Sequence, residues 1–96
     1  FVRTNQGIDQ AAAEVCAPDA GIRMELFTTE PVVHLYTAKW LGPITGKAGQ
    51  PYGSFSGFCL ETQVHPNAIN VPSFPNTILR PGELYESKTI YRFSGI

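Results

Sequence analysis

Gly57-Phe58-Cys59-Leu60-Glu61-Thr62-Gln63-Val64-His65-Pro66-Asn67-Ala68-Ile69-Asn70 is the stretch on which the fold turns. It opens with the alternation of a strand and closes in a loop that proline fixes. Side chains of an extended strand point alternately to its two faces. Phe58, Leu60, Thr62 and Val64 therefore share one face, suited to a core, while Gly57, Cys59, Glu61 and Gln63 share the other. That second face carries a carboxylate and an amide two residues apart, beside a glycine that leaves room for a close approach. On spacing alone, Glu61 reads as a surface residue on the open side of an antiparallel strand, because charged side chains are mostly exposed.

Upstream, residues 32–37 read Val-Val-His-Leu-Tyr-Thr, a second strand rich in β-branched and aromatic residues, with Val32, His34 and Tyr36 on one face. Between the two strands lies a glycine- and proline-bearing loop, 42–56, long enough to form the rim of a binding site. Further upstream, two runs at 11–16 and 22–29 flank Ala17-Pro18-Asp19-Ala20-Gly21, whose turn chemistry predicts a hairpin. Residues 1–4 read as a strand already under way, and 5–9 as a turn, so the chain looks like a piece of something longer. Downstream, prolines at 66, 72, 75 and 81 exclude a helix or central strand, yet Ile69, Val71, Phe74, Ile78 and Leu79 predict an ordered arm. Arg80-Pro81-Gly82-Glu83 is placed for a type II turn, and a last strand is expected over 85–94. The sum is five or six strands in antiparallel pairs without a helix: an all-β sandwich, or part of one.

Composition narrows the function. Net charge is −1 with no basic or acidic block, which gives no case for nucleic acid or a membrane surface. No apolar run is long enough to span a bilayer. The two cysteines, Cys16 and Cys59, read as free thiols in a reducing compartment, with Cys59 expected to be buried in its strand. His34, His65, Cys16 and Cys59 lack metal-ligand spacing, and no nucleophile elbow or phosphate-cradling glycine loop is present. What remains are groups that hydrogen-bond hydroxyls, namely Glu61, Gln63, His34, Asn67 and Asn70, with Tyr36, Trp40 or Tyr52 as aromatic faces. Singly, each has a plainer reading. His34 fits a hydrogen-bonded sheet histidine, Asn67 and Asn70 fit loop residues bonding their own backbone, His65 fits an exposed site, and Trp40 fits a core or interface anchor.

Taken together, residues 57–63, Pro66-Asn67-Ala68-Ile69-Asn70, Pro72-Ser73-Phe74-Pro75 and Leu79-Arg80-Pro81-Gly82-Glu83-Leu84-Tyr85 resemble the C-terminal signature of the aldose 1-epimerases, the galactose mutarotases. Residues 28–37 resemble that family's strand before its long loop, and 46–52 the loop itself. The resemblance implies an antiparallel β-sandwich of the galactose mutarotase-like supersandwich type, with residues 1–96 as the C-terminal segment of one such domain. It implies interconversion of the α and β anomers of a hexose such as galactose or glucose, with no cofactor and no metal, in the cytoplasm. Glu61 falls on the family's general base. His34 stands where the family often has glutamine and becomes a candidate substrate contact, with Gln63 and Asn67 beside it. The family's acid histidine, with an arginine, a second histidine and an aspartate, lies upstream of these residues. A companion chain carrying the N-terminal part of the sandwich is therefore expected as partner, and the segment alone is expected to leave strand edges and an apolar face bare. A non-catalytic carbohydrate-binding module of the same fold is the alternative. An epimerase of hexose 6-phosphates ranks lower, since Arg3, Arg23, Arg80 and Arg92 are well separated along the chain.

Overall fold

The computed structural model describes residues 1–4 and 7–96, and seven strands organise the described residues. They are β1 (Ala13–Ala17), β2 (Ile22–Thr28), β3 (Val32–Tyr36), β4 (Ile44–Thr45), β5 (Pro51–Tyr52), β6 (Cys59–Gln63) and β7 (Thr89–Gly95). Among the described residues the helical segments are three-residue 3-10 turns. The expected turn at 5–9 lies partly outside the described residues.

The first pairing follows from turn chemistry. Pro18 opens a 3-10 turn, and Gly21 closes it at φ 66°, a left-handed conformation that costs glycine nothing. Its N–H donates to the Pro18 carbonyl at 3.0 Å. β1 and β2 then run antiparallel from Ala17 opposite Ile22 to Ala13 opposite Leu26. On the other edge of β2 lies β7, antiparallel, with Thr28 opposite Thr89 and Ile22 opposite Gly95. The resulting sheet has the order β1-β2-β7. A second layer is the antiparallel ladder of β3 and β6, and a short hairpin, β4–β5, rises from the loop that joins them. The fold is all-β and antiparallel, as the alternation predicts. The last strand begins at Thr89 rather than near Tyr85, and the long loop contains its own hairpin.

Period-two alternation sorts the faces. The outer face of the three-stranded sheet holds Glu14, Arg23, Glu25, Phe27 and Arg92. Arg92 donates to both Glu25 carboxylate oxygens, at 2.9 and 3.0 Å, and lies 4.6 Å over the Phe27 ring. That hydrogen bond holds the Glu25 carboxyl below its usual range. The inner face holds Val15, Met24, Leu26 and Tyr91, and looks toward Val33, Leu35 and Leu60 of the β3–β6 ladder across an open cavity of about 330 Å³ lined by Phe1, Ala13, Val15, Val33, Leu35 and Leu60 among others.

A corner at Thr28-Thr29-Glu30-Pro31 carries the chain from one layer to the other. Its carbonyls must be satisfied, since buried backbone groups without partners are costly. Arg3 does this: its guanidinium donates to the carbonyls of Thr28, of Glu30 (3.0 Å) and of Gly7 (2.6 Å), and its own N–H donates to Pro31 O at 2.9 Å. The fork geometry of arginine suits such a multiple contact. Glu30 is buried, and the Tyr85 hydroxyl donates to its carboxylate.

The core is small. Among the described residues the buried hydrophobics are Leu26, Val32, Val33 and Ala38. The radius of gyration is 16.7 Å, against about 13 Å for a compact domain of this size. Phe93, Leu84 and Tyr85 remain largely exposed. One sequence expectation is corrected here and another narrowed. Cys59 is exposed, because it lies on the outer face of β6 rather than the inner one. Of the two readings of Trp40, the core anchor is set aside, since the residue is 81% exposed with the Lys39 ammonium 4.9 Å from its ring.

Candidate functional site

The β3–β6 register builds the site. Val32 lies opposite Gln63, His34 opposite Glu61, and Tyr36 opposite Cys59. Directly opposed residues of an antiparallel pair point to the same face, with Cβ atoms about 4.5–5.5 Å apart. His34, Tyr36, Cys59, Glu61 and Gln63 thus share the outer face of the ladder, turned away from Val33, Leu35, Leu60 and Thr62. His34 and Glu61 are exposed and Gln63 is half-buried. An imidazole beside a carboxylate, flanked by an amide and a phenol, can donate to and accept from several hydroxyls of one small polar ligand.

Asn67 sits apart from this row, beyond the end of β6. It takes φ 59°, a conformation asparagine tolerates, and caps the 3-10 turn Ala68–Asn70. Its side-chain oxygen accepts from the Asn70 amide at 2.7 Å, so the two asparagines bond each other's side chains rather than their own backbone. His65, expected to be exposed, instead packs its ring 4.9 Å from Phe74. The Pro-rich segment that follows is an ordered arm, closed by the turn at 80–83. There the Glu83 N–H donates to Arg80 O at 3.0 Å and Gly82 takes φ 86°, as the Pro-Gly pair predicts.

What lies beneath the site escaped the sequence reading. Thr62 Oγ1 is 2.8 Å from Thr89 Oγ1, and Thr89 Oγ1 is 3.0 Å from Thr28 Oγ1, so three hydroxyls link β6, β7 and β2. Thr28 is fully buried and also accepts from the Glu30 N–H at 3.0 Å. Tyr91 donates to the Leu60 carbonyl at 3.0 Å. The signal available in the sequence was the common inward parity of Thr62, Thr89 and Tyr91. Nearby, the Tyr85 phenol is held above its ordinary pKa chiefly by its hydrogen bond to Glu30.

Among the described residues, no group of three or more His, Cys, Asp or Glu is placed to hold a metal ion. No helix among them is long and apolar enough to cross a membrane.

Comparison with known proteins places this geometry in context. The family model described as aldose 1-epimerase matches residues 1–92. Galactose mutarotase of Rattus norvegicus is 49% identical over 76 residues, covering 78% of this chain and 22% of that protein. Galactose mutarotase of Homo sapiens matches at the same identity and coverage, 49%, 78% and 22%. Aldose 1-epimerase of Escherichia coli (strain K12) is 34% identical over 86 residues, covering 88% of this chain and 25% of that protein. Among solved structures, the GalM/aldose epimerase homologue from C. elegans superposes with a TM-score of 0.90 at 32% identity, over 100% of this chain and 29% of that one. The chain spans about a quarter of the length of the curated relatives it matches.

Proposed function

This chain belongs to the aldose 1-epimerase family, and from that premise we propose that it supplies the general base of a hexose mutarotase. The observation that carries the reading is the register of β3 and β6, which sets His34 directly opposite Glu61 on an outward face shared with Gln63. Glu61 takes the proton from the anomeric hydroxyl of galactose or glucose while an acid protonates the ring oxygen. The bond from C1 to the ring oxygen breaks, the C1 carbonyl turns about the C1–C2 bond, and closure from the other side gives the other anomer. His34, Gln63 and Asn67 bind sugar hydroxyls, and no cofactor takes part. The acid is a histidine outside these residues, in the part of the sandwich that completes the site, and the enzyme works in the cytoplasm.

The test is the decay of optical rotation of freshly dissolved α-galactose, measured with the chain in its natural assembly and with Glu61→Gln. General acid–base groups typically contribute on the order of 10²–10⁴-fold, so Glu61→Gln should lose a factor in that range. Acceleration that survives Glu61→Gln would remove the assignment of the base. Sugar binding without any acceleration would establish the alternative, a carbohydrate-binding module of the same fold.

A further inference from the structure

We propose that Thr89 and Tyr91 of β7 are positioning residues for Glu61; the proposal rests on reading Glu61 as the base. A general base has to be held within about 0.5 Å and 10–20° of its working geometry. Among the described residues, the strand that carries Glu61 pairs with β3. Pairing with β3 sets the register of the strand, and contacts from the facing layer add to what holds its roll and its height.

β7 makes those contacts. It does not pair with β6; it pairs with β2 in the other layer. Yet it grips β6 at the two residues that flank Glu61. On one side, the Tyr91 hydroxyl donates to the Leu60 carbonyl at 3.0 Å. On the other, Thr89 Oγ1 meets Thr62 Oγ1 at 2.8 Å. The threonine contact lies on the inner face, opposite to the Glu61 side chain, and the tyrosine contact holds the backbone itself. Rolling the strand about its own axis, or lifting it from the inner layer, breaks at least one of them. Those are the two motions that would swing the carboxylate. Thr89 is itself tied to Thr28, a fully buried residue at the corner that Arg3 pins. The grip is therefore anchored to the most solidly packed part of the chain. Neither Thr89 nor Tyr91 has to touch the sugar to act in this way.

The experiment removes the two hydroxyls by Thr89→Val and Tyr91→Phe, singly and together, with Thr89→Ser as the conservative control, in the natural assembly. Two quantities are measured: kcat and KM for galactose mutarotation, and amide hydrogen exchange at residues 60–62 against residues 13–17 and 22–26. A misplacement of about 1 Å costs on the order of 100-fold, so the double variant should lose about 10- to 100-fold in kcat. KM should move by less than about threefold, the pattern of an interaction that matters in the transition state. Thr89→Ser should stay near wild type, and exchange should quicken at 60–62 while the β1–β2 hairpin keeps its protection. Unchanged kcat in the double variant, or faster exchange everywhere with no rescue by serine, would overturn the proposal, since those results describe a purely structural contact. Should Glu61→Gln leave the rate intact, the reading of Glu61 fails, while the exchange data still decide whether β7 grips β6.

Discussion

Replacing Thr28 by valine keeps the branched shape of a fully buried side chain and removes one oxygen. That oxygen serves two neighbours: it accepts from the Glu30 N–H at 3.0 Å and meets Thr89 Oγ1 at 3.0 Å. The losses are unequal. Thr89 keeps a second partner in Thr62 at 2.8 Å, so its hydroxyl stays satisfied. Glu30 is 4% exposed, and its N–H has no water to turn to. The substitution therefore orphans one buried donor, which costs about 1–3 kcal/mol. Thr28→Ser makes the opposite change, keeping the oxygen and deleting a methyl, at about 0.8 kcal/mol for the carbon removed. Urea unfolding of the folded assembly measures both: the midpoint should fall more for valine than for serine, with the slope unchanged, which marks a change of stability rather than of compactness. A valine variant as stable as wild type, or more stable than the serine variant, would refute the claim that hydrogen bonding rather than shape holds this corner.

Two other perturbations test separate features. The Tyr85 phenol is held above its ordinary value of 10.0 by its hydrogen bond to Glu30, so it contributes stability that is fully present below that pH and lost as pH rises through the raised folded value. An ultraviolet titration should show a phase above the ordinary value that Tyr85→Phe abolishes; its absence in the native protein would count against the contact. In the β4–β5 hairpin, a Cβ added at Gly46 would fall 1.7 Å from Tyr52 Cε2, although its φ of −93° is ordinary for any residue. Gly46→Ala should therefore swing the Tyr52 ring at a cost of about 0.5–1.5 kcal/mol, and ring proton shifts identical to wild type would show that the two do not touch.

Local pattern made much of the fold legible. Alternation found β2, β3, β6 and β7, and Pro18 with Gly21 predicted the first hairpin because such chemistry acts within a few residues. The face that carries Glu61 was read correctly for the same reason, since parity along one strand needs no partner. Pairing was harder to read. That β7 returns to β2, or that His34 faces Glu61, depends on contacts between distant residues for which one sequence holds no local mark. Burial was expected of Cys59, and offered as one reading of Trp40, by applying average burial to positions whose surroundings decide the matter. The threonine contacts were passed over because a threonine in a strand usually reflects backbone preference alone, and only the meeting of Thr28, Thr62 and Thr89 gives theirs another purpose.

The return of β7 to β2 also sets an order of events in folding. The β1–β2 hairpin closes through a four-residue turn, whereas Thr28 and Thr89, which bring β7 home, are separated by 61 residues. Long-range pairing is the slow part of folding a β protein. In refolding, the hairpin should form early, and the ladder bearing His34 and Glu61 should precede the docking of β7. Backbone protection in the ladder and in β7 should then separate in time, with β7 the later of the two. Until that strand arrives, the open edge of β2 is the surface most prone to capture by another chain.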